Sequence, residues 1–212
     1  MTDKVLVERN GPVTTIIINR PKSKNALDNE AVHALADALR AFENDPESCV
    51  AVLTGAGGAF CAGGLGVALF CDIRIVDDSA VFGVFSRRWG VPMSDGTTVR
   101  LPRVVGQGRA LDMLLTGRAV GADEAIAIGL ATRKVARGTT RAEAEKLAHQ
   151  IAGFPPIAMT SDRQSAYESF DRDQQAAIKR EMELSLEARR RESQKGAARF
   201  AQGAGRHGKF KD

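Results

Sequence analysis

The residues best suited to chemistry lie in one glycine-rich stretch, GAGGAFCAGGLG (55–66), where six of twelve residues are glycine. Backbone N–H groups exposed in such a turn can bind an anion, and two of them directed at one oxygen form an oxyanion hole. The stretch is not a phosphate-binding loop, because no Gly-Lys-Ser/Thr follows it, and it lacks the acidic residue of a dinucleotide fingerprint. A purely structural tight turn is the alternative.

Composition excludes several other kinds of site and partner. Cys49, Cys61 and Cys71 form no C-x-x-C pair and the three histidines are scattered, which predicts reduced thiols and no metal site. No apolar run approaches the roughly 20 residues that cross a bilayer, and residues 1–10 do not resemble a secretory signal. We therefore expect a cytoplasmic protein without membrane contact.

The charge is uneven along the chain. The net charge is +4, and eight Lys/Arg residues lie between Arg189 and the C-terminus. A basic tail can bind phosphate on a nucleotide or on nucleic acid, and a solvated helix face is the alternative. Because the tail has few aromatic residues and no RNA-binding module is visible, we expect no nucleic-acid partner.

The surrounding pattern predicts the elements that position the glycine-rich stretch. β-Branched runs at 4–9 and 13–18 flank Asn10-Gly11, a hairpin signal. Asp28 is a plausible N-cap for a helix that runs to about Asn44, with the apolar stripe Ala31, Leu35, Leu39 and Phe42. We also predict strands at 50–53, 73–76 and 130–135, helices at 107–115 and 121–128, and a helical region from Thr139 that includes one long helix at 173–196.

Three stretches resemble the enoyl-CoA hydratase/isomerase (crotonase) family: NRPKSKNALD (19–28), GAGGAFCAG (55–63) and the long run over 63–135. The C-terminal RFAQGAGRHG (199–208) is also similar. The resemblance implies an α/β, crotonase-like ββα spiral core over 1–138. It also implies a helical C-terminal extension over 139–212, for trimerisation and covering of coenzyme A.

The family resemblance further implies a hydratase or isomerase of fatty acid metabolism. Its substrate would be an acyl-CoA thioester, whose enolate two backbone N–H groups stabilise, with no cofactor beyond coenzyme A and with a homotrimer or hexamer as the assembly. The residues carried over are the oxyanion donors Gly63 and Gly64, the CoA-binding residues Lys22, Lys24, Ala26 and Ala62, the acyl-pocket residues Gly66, Ser86 and Trp89, and the catalytic Asp95.

The sequence departs from the family pattern at its carboxylates. Gly66 and Ser86 occupy the two positions where hydratases carry glutamate, and Asp95 is the only acidic residue in SRRWGVPMSDG (86–96). Asp95 could cap a turn or helix instead of catalysing proton transfer. We expect hydratase turnover far below that of a two-glutamate enzyme, and a catalytically impaired protein that binds acyl-CoA or a partner is the alternative function.

A second departure is an apparent internal deletion at Gly63–Gly64. There the two oxyanion motifs join directly, without the loop, helix and buried strand that the family carries between them. Losing a central strand would leave hydrogen-bonding groups of its neighbours unpaired. Elsewhere two alternatives stay open: Trp89 could be a core residue, and Arg87 and Arg88 could bind CoA phosphates or serve at a surface or subunit contact.

Overall fold

A computed structural model describes residues 3–205 of the chain. It divides into two compact units, 1–149 and 150–212. The strands are β1 (Val5–Asn10), β2 (Val13–Ile18), β3 (Val50–Gly55), β4 (Ile75–Val76), β5 (Val81–Phe82), β6 (Val120–Gly121) and β7 (Arg133–Lys134). The helices are α1 (Asn29–Glu43), α2 (Leu65–Phe70), α3 (Thr97–Val105), α4 (Gln107–Thr116), α5 (Ala122–Ala127), α6 (Thr140–Ala152), α7 (Pro156–Glu168), α8 (Gln174–Ala188) and α9 (Gln194–Ala201).

The predicted hairpin forms the first sheet. β1 and β2 pair antiparallel, and Gly11 takes the positive φ of +55° that the Asn-Gly turn requires. Every residue of β2 is buried, because β2 lies between β1 and the parallel strand β3. β4 pairs with β7 in parallel, and β5 pairs with β6 antiparallel, each as a separate two-stranded sheet.

The strand predicted at 50–53 forms as part of β3, but of its residues only Val52 is fully buried. Within residues 3–205, β3 pairs in parallel with β2 alone, so its other side is an open edge.

Three apolar clusters hold the first unit together, one of them formed by Val13, Val52 and Ala148. Ile16 and Ile18 of β2 pack with Leu35 of α1, whose N-cap is Asp28 as predicted: its Oδ1 accepts from Ala31 N at 2.9 Å. Leu39, predicted to lie on the buried stripe, is instead 40% exposed. The largest cluster brings α2 to α5 together around fully buried residues, including Leu101, Met113, Val120 and Leu130.

The second unit is helical, as the sequence predicted. Asp173 caps α8, but the predicted single helix at 173–196 is divided by a π-helical segment, Arg189–Ser193, before α9. Glu192 in that segment accepts hydrogen bonds from the N–H groups of Ile157 and Ala158 and so caps α7. Among the described residues, no helix is both long and apolar enough to cross a membrane. Arg206 and the other basic residues after it lie outside the described residues.

Candidate active site

A buried asparagine holds the glycine-rich stretch in place. Asn25 is fully buried at φ +59°, and its Nδ2 donates to the carbonyls of Ala56 and Ala59 at 2.8 and 2.6 Å. Its Oδ1 accepts from Arg20 N at 2.8 Å. Asparagine tolerates the left-handed region better than other side chains and can satisfy both chain segments at once. Sequence reasoning missed this residue, because a lone Asn in a polar segment gives no sign of burial.

The two resemblance motifs are also joined directly by their backbones. Ala62 N donates to Lys24 O at 2.9 Å, which brings the predicted CoA-binding residues Lys24 and Ala62 together. Lys22 and Lys24 have exposed side chains, and Lys24 has a positive φ of 49°. Ala26 accepts a hydrogen bond from the Arg20 guanidinium. The segment therefore presents two ammonium groups beside the turn.

The two predicted oxyanion donors differ in availability. Gly63 adopts φ +73°, and its N–H has no acceptor within residues 3–205. The N–H of Gly64 already donates to Cys61 O at 3.1 Å within the turn. Gly64 is also the N-cap of α2. The turn thus offers one free amide at Gly63 and one that is occupied.

Cys61 lies in the same turn without the character of a nucleophile. Burial raises the pKa of its thiol, opposed in part by a hydrogen bond with the backbone of Leu27. A thiol with a raised pKa stays protonated near neutral pH and is a weak nucleophile. Cys61 is therefore a poor candidate for a nucleophile in this turn.

Asp95 and Gly66 are brought together, although 29 positions separate them in the sequence. The Asp95 carboxylate occupies the space that a side chain at Gly66 would fill. Its Oδ1 accepts from Thr97 N at 3.1 Å, so Asp95 also caps the start of α3. The helix-cap alternative is thus correct as geometry. The bond involves Oδ1 and not Oδ2, and the residue as a whole is exposed.

The other predicted pocket residues lie in a 3-10 turn, Phe85–Trp89. Ser86 Oγ is buried and, among the described residues, has no hydrogen-bond partner. Trp89 is 84% exposed, so the core alternative for this residue is wrong. A buried hydroxyl without a partner and an exposed indole are both consistent with a surface that a ligand covers.

Arg87 and Arg88 both donate hydrogen bonds to backbone carbonyls of the protein. Arg87 Nε donates to Leu114 O at 3.2 Å, and Arg88 Nη2 donates to Gly117 O at 2.7 Å. Both carbonyls lie at the C-terminal end of α4, where cationic side chains are favourable. Across the described part of the chain, no group of three or more His, Cys, Asp or Glu side chains could hold a metal ion.

Comparisons with known proteins identify relatives of this chain. The short-chain-enoyl-CoA hydratase of Clostridium acetobutylicum is 28% identical over 242 aligned positions, covering 92% of this chain and 93% of that protein. The crotonyl-CoA hydratase of Syntrophomonas wolfei is 26% identical over 233 positions, covering 88% of each. The crystal structure of an enoyl-CoA hydratase from Mycobacterium tuberculosis superposes with a TM-score of 0.90 at 26% identity, over 94% of this chain and 96% of that chain.

The structural similarity confirms the predicted crotonase-like α/β fold with a helical C-terminal region. The sequence model of the enoyl-CoA hydratase/isomerase family matches in two pieces, residues 8–64 and 61–211, which together cover most of the chain. The chain therefore belongs to the enoyl-CoA hydratase/isomerase family.

Proposed function

We propose that this protein is an enzyme that acts on acyl-CoA thioesters, with Asp95 as its proton-transferring group. The observation that carries the proposal is the Asp95 carboxylate against α2, the helix that the oxyanion turn opens. The relatives named as hydratases of short-chain enoyl-CoA and crotonyl-CoA support the substrate class. The reaction needs no cofactor beyond the coenzyme A of the substrate.

In the proposed mechanism, the N–H groups of Gly63 and Gly64 bind the thioester oxygen, and Gly64 exchanges its bond to Cys61 O for one to substrate. These donors stabilise the negative charge that develops on that oxygen. Asp95 removes a proton from C2 of a β,γ-unsaturated acyl-CoA, which forms a dienolate, and returns the proton at C4. The product is the α,β-unsaturated thioester, and the carboxylate is regenerated.

A single carboxylate favours double-bond isomerisation over hydration. Isomerisation moves one proton between two carbons, whereas hydration also needs a group that activates water. Gly66 and Ser86 carry no carboxylate for that second task. We therefore propose isomerisation as the main activity and hydration as a minor one.

Coenzyme A would bind along the segment 20–26. Lys22 and Lys24 supply exposed positive charge for its phosphates, and Ala26 and Ala62 supply backbone groups near the turn. The acyl chain would extend past Gly66 toward Ser86 and Trp89. The exposed indole and the buried hydroxyl of that 3-10 turn support this direction.

The internal deletion at Gly63–Gly64 is part of the proposal. The 92% of this chain that aligns with the Clostridium hydratase is about 195 of 212 residues, so about 47 of the 242 aligned positions have no counterpart here. The family match also breaks at 61–64, and β3 ends as an open edge. An intact mass of the expressed protein tests this: the mass of the 212-residue chain supports the deletion, and a heavier chain contradicts it.

The proposed assembly is a homotrimer or a hexamer in the cytoplasm. Ile178, Met182 and Leu186 follow one face of α8 and are 47–56% exposed, which is typical of a surface that a partner buries. Light scattering coupled to size-exclusion chromatography tests the assembly. Changing Met182 to Glu should shift the oligomer toward the monomer.

The activity test compares Asp95→Asn with Asp37→Asn, a matched aspartate on the exposed face of α1. Isomerisation of a β,γ-enoyl-CoA is followed by the gain of conjugated thioester absorbance, and hydration of an α,β-enoyl-CoA by its loss. We expect Asp95→Asn to lower isomerisation by roughly 10²–10⁴-fold and Asp37→Asn to leave it unchanged.

Binding is measured separately by calorimetric titration with acyl-CoA. Binding without turnover in the unmodified protein would favour an acyl-CoA-binding protein over an enzyme. An absence of binding would contradict the proposed substrate class. Hydration at the rate of a two-glutamate hydratase would contradict the single-carboxylate site.

A further inference from the structure

Position 66 requires glycine because a side chain would have no room there, and not because the backbone adopts a conformation that favours glycine. It lies inside α2 with an ordinary helical φ and is buried. A Cβ at this position would lie within 3.0 Å of Oδ2, Cγ and Oδ1 of Asp95, closer than real Cβ atoms come to other atoms. Gly108 in α4 provides a contrast, because a Cβ there would meet nothing within 4 Å.

The Asp95 carboxylate is held from its other side as well. Oδ1 accepts the N–H of Thr97, the first residue of α3. Gly96 between them takes a positive φ of 81°, which fixes the turn that leads into the helix. The carboxylate therefore could not move away from position 66 without losing its bond to α3.

We propose that Gly66 is a positioning residue for Asp95. Its absent side chain creates the space in which the carboxylate lies, next to the turn that carries Gly63 and Gly64. A side chain at 66 and a carboxylate at 95 in its present position exclude each other. This inference deepens the proposed function and rests on it for the catalytic role of Asp95.

The exclusion also explains how this chain differs from a two-glutamate site. A glutamate at position 66 would bring its own Cβ into the volume that the Asp95 carboxylate fills. The space beside position 66 can therefore hold a carboxylate either from α2 or from the turn before α3, but not from both. In this chain the carboxylate comes from the turn before α3. Position 66 thus determines which element supplies the proton-transferring group.

The test is a double-mutant cycle of Gly66→Ala and Asp95→Ala, with Gly108→Ala as the matched helical glycine. We expect Gly66→Ala to lower kcat by roughly 10–100-fold through displacement of the carboxylate, with little change in KM. Gly108→Ala should leave kcat unchanged. In the Asp95→Ala background, Gly66→Ala should cause no further loss of turnover, because the group it displaces is already absent.

Urea unfolding of the four proteins of the cycle (the unmodified chain, Gly66→Ala, Asp95→Ala and the double variant) gives a readout that does not depend on activity. Gly66→Ala should lower the urea midpoint in the unmodified chain and should not lower it once Asp95 is alanine, since the three overlapping atoms are gone. If Gly66→Ala fails to fold alone, recovery of folding in the double variant supports the contact.

The outcomes separate the two proposals. Equal shifts of the urea midpoint in both backgrounds, or full kcat in Gly66→Ala, would overturn the positioning role. Coupled midpoints together with full activity in Asp95→Ala would contradict the proposed catalytic role of Asp95 while supporting the steric exclusion.

Discussion

The two units of the chain are stabilised in different ways. In residues 3–149, β2 is buried at every position, and α2 to α5 enclose a contiguous apolar cluster. In residues 150–205, Ala188 is the one fully buried residue, and large apolar side chains such as Phe170 and Met182 are more than half exposed. The first unit therefore carries a core of its own, whereas the second leaves several large apolar side chains exposed to solvent.

In the second unit, polar contacts between side chains take the place of a buried apolar core. Glu168 pairs with Arg172 and Arg180, and Glu192 caps α7. Solvent-exposed ion pairs contribute little net stability. We therefore expect the second unit of an isolated subunit to open at lower free energy than the first. The candidate active site lies in the first unit, where the buried Asn25 holds its glycine-rich stretch in place.

The largest expected effect comes from the same substitution made in each unit. Met113→Ala should lower the free energy of unfolding by about 2–5 kcal/mol, because Met113 is fully buried and its truncation leaves a cavity. Met182→Ala should change it by no more than about 0.5 kcal/mol in the dissociated chain, because Met182 is 56% exposed. Urea unfolding at a concentration where the chain is monomeric measures both.

A second measurement locates the two effects. Hydrogen exchange of peptides from β2 should become faster in Met113→Ala, and exchange in α8 should not change. Comparable destabilisation by the two substitutions would contradict the contrast between a unit with a core and a unit without one.

The next effect concerns the asparagine that holds the candidate site. Asn25→Ala should cost about 1–3 kcal/mol, because it leaves the partly buried carbonyls of Ala56 and Ala59 and the partly buried N–H of Arg20 without this partner. Affinity for acyl-CoA should fall as well, since the glycine-rich stretch loses its support. Asn44→Ala is the control, because Asn44 bonds only an exposed carbonyl at the end of α1. A similar loss in both variants would refute the special role of burial.

The sequence predicted local features well and long-range ones poorly. The hairpin at Asn10-Gly11, the Asp28 cap and the helix predicted at 107–115 are all correct, because each depends on residues a few positions apart. The contact of Gly66 with Asp95 could not be read, since it depends on how α2 and α3 pack. Likewise, the apolar periodicity of α1 predicted that Leu39 is buried, but it could not show that this residue faces solvent.

The sequence also selected a candidate site, but it could not show the detailed geometry of that site. It selected Gly63 and Gly64 as donors but could not show that Gly64 is already bonded to Cys61 O. It indicated a lost strand, which stays a prediction, and β3 has β2 as its single neighbour among the described residues. A π-helical segment divides the helix that the sequence predicted at 173–196. Hydrophobic spacing could not predict this segment, because the spacing does not reveal a single inserted residue.

Acid should weaken the first unit through Asp77. This buried carboxylate accepts from Gly138 N at 2.8 Å and from Ser79, and the hydrogen bond from Gly138, followed by those from Ser79, lowers its pKa. A lowered native pKa means that Asp77 stabilises the fold above about pH 4 and that this contribution is lost as the pH falls below it. The urea midpoint of Asp77→Asn should accordingly decline less between pH 6 and pH 3 than that of the unmodified protein. An equal decline in both proteins would contradict this role.

The smallest effect is expected from the corresponding carboxylate of the second unit. Hydrogen bonds from Arg180, and then from Gln164, lower the pKa of Glu168 from 4.5 to about 2. Glu168 therefore stabilises α7 and α8 fully above about pH 4.5, and the contribution disappears as the pH falls toward 2. Because the pair is solvent-accessible, salt should screen it, and the loss should be smaller than that caused by Asp77.

Nuclear magnetic resonance titration of the Glu168 carboxyl carbon, with and without Arg180→Gln, measures this effect directly. Removing the Arg180 guanidinium should raise the Glu168 pKa toward its ordinary value, whereas Lys179→Gln, which removes a neighbouring exposed charge, should leave it almost unchanged. Hydrogen exchange in α7 should become faster in Arg180→Gln and stay the same in β2. If the Glu168 pKa did not respond to the Arg180 substitution, ion pairs would not distinguish the second unit from the first. The second unit would then have to be stabilised by its apolar contacts.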